Sequence, residues 1–251
     1  MATTNTSRPS RVQPQSAWTS TVAKKYAMAV SGLIMVGYLV LHMYGNLKAF
    51  DSAEAFNEYA HHLREFGEPM LPHEGLLWIV RVVLLVSVLV HAYCAVTLWM
   101  RNKKASGAHG VKRYQTKQNP RGNQRSYASF TMRWGGVTIA LFIVFHILNL
   151  TTNDIHPGGA SDDPFTKLHN TFDGSGVDIH FWVLLFYTLA MIAVGFHLWH
   201  GFWSALTTLG QNRSARRVES SANTVAIVIA VVITIGFLAV PFSIFFFNYG
   251  G

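Results

Sequence analysis

Residues 24–47 read KKYAMAVSGLIMVGYLVLHMYGNL. After the paired lysines the stretch holds no Asp, Glu, Lys or Arg. At 1.5 Å per residue it is long enough to cross the roughly 30 Å hydrocarbon core of a bilayer. It lacks the period-2 alternation of a strand, so it predicts a helix that satisfies its own backbone in lipid. Its single histidine is His42, close to the far end.

Four more runs have the same character: 76–101, 132–151, 179–206 and 224–247. The expected fold is an all-α integral membrane protein, a five-helix transmembrane bundle over 19–251. A polar segment at 1–18, rich in Ser, Thr, Arg, Pro and Gln, precedes it and is expected to be a mobile tail. Composition agrees: 50% of the 251 residues are hydrophobic and 13% charged, about half the charged share of a soluble domain. That excludes a soluble enzyme, a disordered chain and a nucleic-acid-binding module. One cysteine excludes a disulfide framework. There is no Walker loop, no G-x-G-x-x-G and no C-x-x-C.

The charges sort by side. The N-terminal segment and the second and fourth connections hold 16 of the 20 Lys and Arg residues. The first and third connections hold 11 of the 12 acids. The positive-inside rule puts the N-terminus and the basic connections in the cytoplasm, and the C-terminus outside. The basic run at 103–125 is then a headgroup-facing loop rather than a nucleic-acid site.

Ionisable residues within spans are rare and mark function. His42, His91, His146 and His197 fall one on each of the first four spans. A lone membrane histidine is as often a helix–helix hydrogen bond; four, one per helix, need a common cause. Measured from the outer helix ends, His42 and His146 each lie roughly 8 Å deep, whereas His91 and His197 lie roughly 23 and 26 Å deep. Spans 1 and 3 therefore meet in an outer layer, and spans 2 and 4 in an inner one. Two stacked haems, each held by two histidines, require that arrangement. Two strong axial ligands leave the iron no open position, so such a haem carries electrons and does not bind oxygen. Gly45, Ser87, Ala95, Ala193 and Gly201 are small residues near the ligands that give a macrocycle room.

Other chemistries fit less well. Zinc needs a compact tetrahedron, which two layers would split. A Rieske cluster needs two cysteines, and Cys94 is alone. A proton relay would favour carboxylates, and no span interior contains one.

The stretches HMYGNLKAF (42–50), AEAFNEYAHHLREFG (53–67), LVHAYCAVTLW (89–99), RWGGVTIALFIVFHILNL (133–150) and FHLWHGFWSALTTLG (196–210) carry a resemblance. The chain resembles the membrane-anchor cytochrome b subunit of succinate:quinone oxidoreductases, the respiratory complex II family that includes fumarate reductases. The likeness is to the single-chain, five-helix, two-haem type and covers about 24–241. It implies two haem b groups, with His42 and His146 on the distal iron and His91 and His197 on the proximal one. It also implies a flavoprotein subunit and an iron–sulfur subunit docked on the cytoplasmic face of a prokaryotic cell membrane. Electrons would pass through both haems to a membrane quinone, with menaquinone the family's frequent companion of two haems. The succinate chemistry lies on another chain, so no catalytic residue is expected here.

Further candidates contact haem propionates or quinone. Arg81, near the outer end of the second span, is expected to pair with a propionate, since anions in a membrane need cationic partners. Near the distal haem the quinone candidates are Asn46, Glu65, Glu68, Trp78 and Asn149; near the cytoplasmic face they are Ser31, Arg133, Trp134 and His200. Two rival functions stand beside this one: a cytochrome b anchor for a hydrogenase or formate dehydrogenase, and a haem-free structural anchor or small transporter.

Overall fold

The computed structural model describes residues 20–107, 122–175, 177–209 and 216–250. The expected tail at 1–18, and much of the second connection, lie outside the described residues. Every described secondary-structure element is helical. The helices are α1 (Thr21–Leu47), α2 (Ala53–Glu65), α3 (Gly75–Gly107), α4 (Gly122–His146), α5 (Pro164–Phe172), α6 (Val177–Thr208) and α7 (Arg216–Phe247). Five stretches are long and apolar enough to cross a membrane: Thr21–Phe50, Gly75–Lys104, Thr131–Thr151, Asp178–Leu206 and Ala222–Phe247. The chain is thus a multi-pass membrane protein by the length and apolar character of its helices.

α6 is the spine of the bundle. Its buried face, Val183, Leu184, Tyr187, Ala190, Met191, Val194 and Leu198, recurs at helical spacing. Against it pack α1, α4 and α7, and α3 packs on α1. Gly195 is what lets α7 come close: a Cβ there would lie 2.5 Å from Thr234 Oγ1. α3 carries much of the opposite character. Val82, Leu85, Val86 and Leu89 are all more than half exposed, the surface that hydrocarbon covers in a bilayer.

α2 and α5 lie in the first and third connections, the two acidic ones. Each has a clear start. Ser52 caps α2 by accepting from the Ala55 backbone N–H. Asp163 caps α5 by accepting from the Thr166 N–H, with Pro164 in the first turn. The two pack together over one end of the bundle. Asn57 ties them: its Oδ1 accepts from Phe165 N–H at 2.9 Å, and its Nδ2 donates to Asp163. Phe56 meets Phe165 edge to face. Residues 147–151, immediately after α4, form a π-helical turn, a widening that often sits at functional positions.

Candidate functional site

The four span histidines meet in two pairs. His42 of α1 faces His146 of α4 with ring centroids 5.8 Å apart. His91 of α3 faces His197 of α6 with centroids 6.1 Å apart. Neither α1–α4 nor α3–α6 is among the closely packed helix pairs, so in each layer the imidazoles reach towards one another across a gap. Among the described residues no three His, Cys, Asp or Glu side chains form a metal-binding group; the imidazoles meet two by two.

A metal lying in line between one nitrogen of each ring, at about 2.0 Å from both, would set the two centroids about 6.3 Å apart. Both observed separations are close to that value. The ring nitrogens on the far sides are also arranged. His91 Nδ1 lies 3.0 Å from the Met28 carbonyl, which can only accept, so Nδ1 holds the proton and Nε2 keeps its lone pair. His146 Nδ1 lies 3.4 Å from the Tyr187 hydroxyl. A second partner that fixes ring and tautomer is the usual support of a metal-bound histidine. His197 Nδ1 is buried with no hydrogen-bond partner, a cost of about 1–3 kcal/mol that a metal bound to that nitrogen would remove. The residues present fit a haem iron in each layer.

Glycines seat two of the rings. A Cβ on Gly32 of α1 would touch His91 Cε1 at 3.4 Å, and one on Gly136 of α4 would touch His197 Cε1 at 3.7 Å. Neither glycine stood out in the sequence, because each serves a histidine on another helix. Gly45, one of the expected space-makers, serves α2 instead: a Cβ there would lie 2.7 Å from Tyr59 Cε1. Gly201 faces open space. His42 itself stacks on Tyr38 at 5.3 Å and touches Phe237.

The remaining candidates divide. Ser31 is buried on α1, donates to the Ala27 carbonyl at 2.7 Å and lies 3.5 Å from His91 Nδ1; it belongs to the inner layer. His200 stacks on Trp199 one turn beyond His197. Arg133 and Trp134 sit on exposed positions of α4 just ahead of Gly136. Arg81 pairs with Glu74 at 3.3 Å and lies over the Trp78 ring at 4.9 Å. Glu74 also pairs with Arg64 at 3.4 Å, so two guanidiniums share one carboxylate and a net positive charge remains. Arg81 is within electrostatic range of Tyr38, the ring stacked on His42. Asn46 turns back on its own helix, donating to the His42 carbonyl at 2.8 Å. Glu65 and Glu68 are exposed, beside His61 and His73 respectively.

Asn149 faces the protein interior. It is 1% exposed, and its amide is consumed by Ile155, Thr171 and Tyr187. Tyr187, which links it to His146, is the residue that sequence reading missed. It sits mid-span among aromatics, and no spacing rule joins it to a histidine 41 positions away. No family model, curated protein or solved structure matches the chain.

Proposed function

We propose that the chain is the membrane-anchor cytochrome b subunit of a succinate:quinone oxidoreductase. It would pass electrons from an iron–sulfur subunit through two haem b groups to a membrane quinone, menaquinone by the resemblance. The observation that carries the reading is the meeting of four span histidines in two facing pairs, at 5.8 and 6.1 Å, in two layers of one bundle. A structural anchor or transporter has no use for that arrangement. The five stretches that resemble the complex II anchors favour succinate over formate or hydrogen as the source of electrons.

Bound haem supplies a reversible one-electron carrier. The chain's own residues do the rest. His91 and His146 each present a lone pair by committing Nδ1–H to a partner. The apolar helices keep water and oxygen ligands away from the rings. The Arg64–Glu74–Arg81 group offers positive charge at the outer layer for a propionate. The cytoplasmic orientation proposed for the basic connections gives the flavoprotein and iron–sulfur subunits their docking side. Ser31, Arg133, Trp134 and His200 lie at the inner level, and Asn46, Glu68, Trp78 and Arg81 at the outer level, as the quinone and propionate candidates.

The test is purification of the tagged chain from its native membrane, followed by addition of reductants. Flavin and iron–sulfur subunits should accompany it, and succinate should reduce its b-type absorbance. Reduction by formate or hydrogen but not succinate would assign it to another dehydrogenase.

A further inference from the structure

The polar contacts around His146 form a chain in which every proton can be placed. Thr171 Oγ1 lies 2.8 Å from the Lys167 carbonyl, which only accepts, so the hydroxyl donates there. The Asn149 nitrogen lies 2.8 Å from the Ile155 carbonyl and 3.2 Å from Thr171 Oγ1. Both are acceptors once the threonine proton is spent, so the amide orientation is forced. Asn149 Oδ1 must then accept, and the Tyr187 hydroxyl donates to it at 2.7 Å. With its proton committed, Tyr187 Oη can only accept from His146 Nδ1–H, at 3.4 Å. The imidazole is left with Nε2 unprotonated. Thr171, Asn149 and Tyr187 are all at most 5% exposed, so no bulk water competes. The phenol ring is pinned edge to face by Phe142 at 5.0 Å and Phe172 at 4.9 Å.

We propose that Tyr187 is a positioning residue for the His42–His146 site: acting through His146 Nδ1, it fixes the ligating tautomer and lowers the reduction potential of that haem alone. The inference rests on the haem reading above. The physical basis is that an acceptor at Nδ1–H makes the imidazole a stronger electron donor, which favours the oxidised metal. The other layer has its own acceptor, the Met28 carbonyl on His91, and does not touch this chain of bonds.

The test uses the purified complex and begins with a haem count. Tyr187→Phe removes the acceptor and keeps the ring. With two haems bound, one midpoint should rise, by up to about tenfold in the reduction equilibrium, or about 59 mV for one electron. The low-spin ferric signal of that haem should shift as its imidazole loses its anchor, and the other haem should stay in place. Two haems with neither midpoint moved, or both moved together, would overturn the inference while leaving the haem reading intact. Should Tyr187→Phe not retain both haems, 2,3,5-trifluorotyrosine at position 187 decides at mildly acidic pH. It keeps the shape but weakens the acceptor, so the same midpoint should rise by less; an unchanged midpoint would overturn the inference. A wild-type chain with no haem would overturn both readings together.

Discussion

A single imidazole in an apolar span is ambiguous, and it is the facing pairs that favour the haem reading. His42 and His146 are 104 positions apart in sequence, yet their depths on α1 and α4 already match, because helix rise converts sequence position into depth. The expected consequence is pairwise loss. His42→Ala and His146→Ala should abolish one potentiometric haem component, and His91→Ala and His197→Ala the other. Loss of the same component by His42→Ala and His91→Ala would break the layer assignment. The glycines make a finer distinction. Gly32→Leu drives a side chain into the space of His91 and should remove the inner-layer component. Gly45→Leu strikes Tyr59 instead, so it should lower thermal stability by about 1–3 kcal/mol through overpacking and leave both haem spectra in place. Partners like these were invisible in the sequence. A residue that makes room for a side chain on another helix has no local signature, and the Tyr187–Asn149 link depends on how α4, α5 and α6 are juxtaposed.

At the scale of elements, the spans were legible because lipid imposes a strong one-dimensional rule. All ten ends fall within three residues of the sequence reading. The two connection helices, α2 and α5, were not legible by that rule, since hydropathy says nothing about amphipathic segments in a polar connection. Their signals were local ones: Ser52 and Asp163 as caps, and Pro164 after the second cap. α2 and α5 close the bundle at the His42–His146 end, and Asn57 bridges them with two hydrogen bonds. Asn57→Ala should therefore destabilise this cap by about 1–3 kcal/mol, since the Phe165 N–H loses its partner. The effect should appear as faster proteolysis within 53–67 and 152–175 of the detergent-solubilised protein, with the span regions still protected. Unchanged cleavage would mean that the aromatic contacts alone hold the two helices.

For the whole molecule, the asymmetric distribution of charge predicts an orientation, with the acidic connections and the α2–α5 cap outside the cell. The chain's own Cys94 is buried, so single introduced cysteines report cleanly. In intact cells an impermeant thiol reagent should label Ser175→Cys and leave Asn102→Cys unlabelled until the membrane is opened. The reverse pattern would invert the topology and place the cap, not the basic loops, at the subunit-docking face. The bundle shape follows from the same economy of parts: α6 is the shared wall, α7 seals its back without contributing a histidine, and the two imidazoles of each pair extend from helices that do not pack closely on each other.

The central claim is that this bundle holds two haems, one per histidine pair. A pyridine haemochrome assay on the purified chain, normalised by quantitative amino-acid analysis, tests it most directly. The account predicts two haem b per polypeptide and a reduced-minus-oxidised spectrum typical of six-coordinate b haem; zero or one haem per polypeptide would contradict it.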